Sequence, residues 1–177
     1  MAIDTSRVLV THEQIEEMLE RLSAQLNKDY AGRHLVVVGI LTGAFIFTSD
    51  LIRRLTMPVT VDFMQVSSYV GEVSSGVLKI KKDLSYDIEG KDVLIVEDIV
   101  DTGRTLALLM EQLQKRNPAS LKVCTAFDKP ARRVNSFVPD YNGLTVPDEF
   151  IVGYGLDYAE RYRNLPYVGV LKSEVYS

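Results

Sequence analysis

The chain has 177 residues, 46% of them hydrophobic and 25% charged, which suits one soluble domain built around a single sizeable core. Its formal net charge of −4 argues against a general affinity for nucleic acid or acidic membranes. Cys124 is the only cysteine, which excludes an internal disulfide and any multi-cysteine metal site.

The start, "MAIDTSRVLV", has no basic region followed by a long apolar run and a small-residue cleavage site, so no signal peptide is expected. No apolar segment approaches the roughly 20 residues that cross a bilayer. Both observations predict a cytoplasmic protein. Residues 12 to 27 read as an amphipathic helix: Ile15, Met18, Leu19, Leu22 and Leu26 share one face, and Thr11 with Gln14 has the spacing of a capping box. "HLVVVGI", 34 to 40, is a continuous β-branched run, as expected of a strand covered on both faces. "LTGAF" breaks it, and 45 to 55 is predicted to be a helix. "VTVDFMQV", 59 to 66, reads as a strand. The Ser- and Gly-rich stretch "SSYVGEVSSG", 67 to 76, is predicted to be a mobile loop, followed by a short strand near 77 to 81.

A strand over 92 to 97, a helix over 103 to 116 and a strand over 121 to 127 follow. Leu106, Leu109, Met110 and Leu113 recur at helical spacing, and "NP" at 117 and 118 stops the helix. Cys124 falls inside the last strand, in "LKVCTAF", as a core residue. This alternation of strands and helices predicts an α/β fold with a central, mainly parallel sheet flanked by helices. The tail from 134 onward, with short strands, tyrosines and turns, is expected to pack beside the sheet without extending it.

The chemistry concentrates in "VLIVEDIVDTGRTL", 93 to 106. Ligands of open parallel sheets bind outside the carboxyl ends of the strands, where Glu97 and Asp98 are expected. The turn Asp101 to Thr105 precedes a helix, so its N–H groups and the positive helix end make a phosphate cradle. Thr102 and Thr105 add hydroxyls, and Gly103 removes the Cβ that would hinder close approach. Donors beside acids suit a sugar phosphate, with the acids accepting from ribose hydroxyls or holding Mg²⁺. Neither a Walker loop nor a dinucleotide fingerprint is present.

This segment closely resembles the phosphoribosyl-pyrophosphate (PRPP) motif of the type I phosphoribosyltransferases. "GILTGAFIF", "DFMQVSSY", "FDKPARR" and "DEFIVGYGLDYAERYRNLPY" are similar, in order and spacing, to the remaining blocks of the hypoxanthine-guanine phosphoribosyltransferases of that family. The resemblance implies a single domain over 1 to 177, with a lid near 67 to 76 and a small hood formed by the terminal segments, its purine-binding part near 134 to 177. It implies transfer of the 5-phosphoribosyl group from PRPP to hypoxanthine or guanine with loss of pyrophosphate, in purine salvage.

By motif position, the resemblance assigns Glu97 and Asp98 to the ribose hydroxyls and Mg²⁺. Asp101, Thr102, Gly103, Arg104 and Thr105 take the 5-phosphate, and Asp101 is also the general base toward purine N7. Arg104 stands where other members carry lysine. Leu41, Thr42 and Gly43 form the pyrophosphate loop, with a cis peptide at Leu41–Thr42, and Thr42 replaces a lysine of many relatives. Arg163 is the matching pyrophosphate arginine, and Ser68 and Tyr69 belong to the lid. At the purine, Lys129 donates to O6, Phe150 stacks, Ile151 offers backbone groups, and Asp157 binds a second Mg²⁺. The implied partners are the small-molecule substrates and further copies of the chain in a dimer or tetramer. Competing readings are a xanthine-preferring enzyme and a non-catalytic PRPP-sensing regulator. The regulator would be expected to add a nucleic-acid-binding element.

Overall fold

In chain order, β1 (Thr5–Val10) ends at Thr11, which caps α1 (His12–Asp29). Thr11 Oγ1 accepts from Gln14 N at 3.2 Å, and Gln14 Oε1 accepts from Thr11 N at 2.9 Å, the reciprocal pair its spacing predicts. Next come β2 (Leu35–Ile40), α2 (Phe45–Ile52), β3 (Val59–Tyr69), β4 (Val77–Lys82), β5 (Asp92–Val100) and α3 (Arg104–Gln114). β6 (Ser120–Asp128), a 3₁₀ turn at Pro130–Arg132, β7 (Tyr141–Thr145), β8 (Ile151–Val152), β9 (Val168–Leu171) and α4 (Ser173–Tyr176) complete the order. The computed structural model describes residues 4–69 and 77–177, without the side chains of Ser68, Tyr69 and Val77.

The main sheet runs β4-β3-β2-β5-β6-β7. β2 pairs in parallel with β3 and with β5, and β5 pairs in parallel with β6, so β2 and β5 lie inside the sheet. Their alternating residues feed two cores. Leu35, Val37, Leu94 and Val96 face α1 and α2 in one, where Leu19, Leu22, Phe47 and Leu51 are fully buried. Val36, Val38, Val93 and Ile95 join Leu106, Leu109 and Leu113 of α3 in the other. Burial on both faces is why these strands read as unbroken apolar runs. Cys124 is fully buried on β6, where burial pushes its thiol up and keeps it unreactive.

Three expectations are corrected. The tail does extend the sheet, because β7 pairs in parallel with β6. Its apolar pattern is weak because Gly143 lies where a side chain would collide with the carbonyl of Ala126 and with Met18. Tyr141 instead is buried, and its hydroxyl donates to Asp29 Oδ2 at 2.9 Å. Second, β3 continues to Tyr69 through antiparallel pairing with β4, so 67 to 69 are strand residues and not loop. The rest of the expected lid, 70 to 76, lies outside the described residues. Third, α2 stops at Ile52, before the predicted 55.

β1, β9 and β8 form a separate antiparallel sheet. It joins the two ends of the described chain in a hood whose cluster includes Val152, Tyr162, Leu165 and Leu171. Among the described residues no helix is long and apolar enough to cross a membrane.

Candidate active site

β5 continues past its buried run Val93–Val96 through Glu97 and Asp98 to Val100, so both acids belong to the strand itself. Asp98 N donates to Glu97 Oε1 at 3.1 Å and Ile99 N donates to Asp98 Oδ1 at 2.7 Å. Burial first, and then the charge of Asp98, push the Glu97 carboxyl well above the usual range. Asp98 is raised as well, by burial, against the opposing pull of its hydrogen bonds and of Arg163. Two carboxylates in one partly buried corner hold a surplus of negative charge that a cation would relieve.

Gly103 follows with φ 79°, in the left-handed region, and turns the chain into α3. A Cβ there would meet Asn135 Oδ1 at 2.6 Å and Arg133 Cδ at 2.9 Å. The turn is thus packed from behind by residues 133 to 137. Arg133 Nε donates to the Asp101 carbonyl at 3.2 Å, and Val134 N donates to the Thr102 carbonyl at 3.1 Å. Arg133 also binds the Phe137 carbonyl and pairs with the Asp128 carboxylate. On its open side the turn borders a cleft of about 200 Å³ lined by Glu97, Asp98, Asp101, Thr102, Gly103 and Thr105 among others. Arg104 does not line this cleft; it is exposed at the first position of α3.

A larger cleft of about 520 Å³ is lined by Lys129, Phe150, Ile151, Leu156 and Asp157, which bring β6, the hood and the last turns to one place. Asp98, Ile99 and Asp101 line both clefts. Lys129 is 7% exposed, and its Nζ donates to the Glu149 carbonyl at 2.9 Å. Asp101 Oδ1 is shielded from water without an aligned hydrogen bond, and Arg132 Nε stands 3.1 Å from it as an ion pair.

The Leu41–Thr42 peptide is cis. Gly43 packs directly on Asp98, since a Cβ there would overlap Oδ2, and Gly155, at φ 97°, packs on the Gly43 carbonyl. Arg163 completes this corner: Nη1 donates to the Gly155 carbonyl at 2.8 Å and Nη2 lies 3.1 Å from Asp157 Oδ1. Thr42 is exposed and lines neither cleft.

Residues 8–159 match the family model described as phosphoribosyl transferase domain. A hypoxanthine-guanine phosphoribosyltransferase of Staphylococcus aureus is 54% identical over 175 residues, covering 98% of this chain and 98% of that protein. The chain belongs to the phosphoribosyl transferase family. A hypoxanthine-guanine phosphoribosyltransferase of Streptococcus pneumoniae is 52% identical over 175 residues, 98% of this chain and 97% of its own. The crystal structure of a hypoxanthine phosphoribosyltransferase from Staphylococcus aureus superposes with a TM-score of 0.96 at 53% identity, covering 100% of this chain and 97% of that one.

In this phosphoribosyltransferase the acids of the PRPP motif, Lys129, Phe150, Ile151 and Asp157 line the two adjoining clefts; Gly43 packs on Asp98, Arg163 pairs with Asp157, and Leu41 enters the cis peptide before them. Ser68 and Tyr69 have only their backbone described, at the end of β3. Sequence reasoning missed Arg132, Arg133, Asp148 and Tyr176. "ARR" directly after "DKP" was the available signal for the arginines, because two adjacent cations after a strand end need acceptors nearby.

Proposed function

We propose that this chain transfers the 5-phosphoribosyl group of PRPP to hypoxanthine or guanine, releasing pyrophosphate and serving purine salvage in the cytoplasm. The observation that carries this reading is the shared wall of the two clefts, Asp98, Ile99 and Asp101. A phosphate seated on the 101 to 105 turn and a base seated between Lys129 and Phe150 would meet at that wall. The new bond joins a purine nitrogen to C1 of the ribose, and the bond from C1 to pyrophosphate breaks.

The turn's N–H groups grip the 5-phosphate, and Glu97 and Asp98 accept from the ribose hydroxyls. Asp101 takes the proton at N7, an assignment supported by its place on the wall common to both clefts. Lys129 donates to O6 of an oxopurine, whereas the amino group of adenine would set donor against donor. Gly43 and Arg163 flank the leaving pyrophosphate, and closure of a lid around Ser68 and Tyr69 excludes water.

The donor set fits Mg²⁺: hard oxygens, with Glu97 and Asp98 raised by crowding and burial. Glu97 and Asp98 would hold one ion and Asp157 a second, each completed by substrate oxygens and water. Bound there, magnesium would supply positive charge to offset that of the departing pyrophosphate.

The test is nucleotide formation from PRPP and Mg²⁺ with hypoxanthine, guanine, xanthine and adenine in parallel. Turnover with hypoxanthine and guanine but not adenine is expected. Turnover confined to xanthine would move the specificity, and PRPP binding without turnover on any base would assign a regulator instead.

A further inference from the structure

Leu171 N donates to the Phe150 carbonyl at 2.8 Å, and Lys172 N donates to the Asp4 carbonyl at 2.9 Å, so the chain leaving β9 is tied down on both sides. α4 then brings the ring of Tyr176 onto Phe150. The two centroids are 4.8 Å apart with 21° between the planes, an offset stack. Tyr158 meets both rings edge-on, at 5.5 Å and 87° to Phe150 and at 6.5 Å and 66° to Tyr176.

This trio is not ordinary core. Phe150 is 39% exposed and Tyr176 41%, and both line the larger cleft with Ile99, Lys129 and Leu156. α4 has no fully buried residue, and its Val175 supplies the packing against the hood cluster. The Tyr176 ring contributes instead to the wall of the cleft. With Tyr176 stacked on it and Tyr158 at its edge, Phe150 has little freedom to rotate, yet it keeps a large surface open toward the cleft.

We propose that Tyr176 is a positioning residue for the planar 6-oxopurine: it clamps the Phe150 ring so that the open surface is already oriented when the base arrives. The proposal rests on the purine phosphoribosyl transfer reading above. A ring held in place loses no rotamer freedom on binding, which lowers the cost of seating the base. Stacking is blind to the edge of the purine, so hypoxanthine and guanine benefit alike, and the PRPP end is untouched.

The experiment compares wild type, Tyr176→Ala, Tyr176→Leu and Tyr176→Phe for KM of hypoxanthine, guanine and PRPP, for calorimetric affinity toward IMP, and for melting temperature. Tyr176→Ala and Tyr176→Leu should raise KM for both bases by about 2-fold to 12-fold, the roughly 0.5–1.5 kcal/mol of an aromatic pair converted at about 1.4 kcal/mol per tenfold. KM for PRPP and the melting temperature should hold, IMP affinity should fall in step with the bases, and Tyr176→Phe should restore all values. Unchanged or lowered KM for the bases would overturn the proposal, as would a matching rise for PRPP with a lost melting transition. A wild type that neither binds IMP nor turns over any base would remove the functional reading, and the proposal with it.

Discussion

Gly43 lies so close to Asp98 that a Cβ on the glycine would overlap the carboxylate oxygen Oδ2, and the Gly43 carbonyl is in turn covered by Gly155. Two glycines and one acid therefore set the spacing of the corner proposed to hold pyrophosphate. Gly43→Ala must push Asp98 aside. A displacement near 1 Å at reacting groups costs roughly 10²-fold in rate. We expect kcat/KM to fall by about that factor, measured by steady-state kinetics with hypoxanthine; unchanged kinetics would show that the corner yields freely.

Asp101→Asn keeps the shape of the turn, including the carbonyl that Arg133 holds at 3.2 Å, but cannot take a proton. Loss of a general base costs about 10²- to 10⁴-fold. Turnover should fall by that range while PRPP still binds in calorimetry. Retained turnover would remove Asp101 from the base role.

Lys129→Ala removes a nearly buried ammonium from the larger cleft and leaves the Glu149 carbonyl without its 2.9 Å donor. A hydrogen bond from a charged group is worth about 1.5–3 kcal/mol, so KM for hypoxanthine and guanine should rise roughly 10- to 100-fold. PRPP affinity should stay. Equal losses on both substrates would mark general damage to the fold.

Glu97 binds its proton more tightly folded than unfolded, because burial and the neighbouring Asp98 raise it. The stabilisation this contributes is complete below the ordinary glutamate value near about 4.3, and it is lost as pH rises through the raised folded value. Glu97→Gln has no such loss. In chelator without magnesium, its melting temperature should exceed that of the wild type by a margin that widens from about pH 5 to pH 8, while its turnover falls. A margin independent of pH would show that Glu97 ionises as easily folded as unfolded.

The adjacent arginines separate stability from chemistry. Arg133 and Asp128 have side-chain exposures of 11% and 10%, whereas Arg132 and its partner Asp101 are at 51% and 44%. Breaking a buried pair costs about 3–5 kcal/mol and breaking an exposed one about 0–1 kcal/mol. Denaturant titration of Arg133→Ala and Arg132→Ala should give those two results; similar values for both would show that the Asp128 pair is solvated.

Legibility followed burial and repetition. β2 and β5 could be read because both faces are covered, and the cap of α1 because two side chains answer each other over three residues. β7 was hidden because an edge strand covered by one helix carries only Tyr141 and Leu144 as apolar markers, with Gly143 between them. The PRPP motif is contiguous and so was legible as chemistry, but the floor of its turn comes from residues 133 to 137, about thirty positions on. Tyr176 illustrates the same limit: nothing in "SEVYS" points to Phe150 until β9 and β8 are paired.

The placement of Asp98, Ile99 and Asp101 on the wall common to both clefts has a consequence for how substrate range can change. On the proposed reading the donor sugar sits on an interior strand that has strands on either side and helices above and below, so almost nothing there can be altered without disturbing its neighbours. The proposed acceptor cleft is lined by hood residues such as Phe150, Ile151 and Tyr176, which lie in short, peripheral segments. One half of the reaction is thereby frozen into the architecture, and the other is left open to variation. A library confined to residues 129 to 132, 148 to 157 and 176 would explore new acceptor bases on an unchanged sugar-phosphate platform.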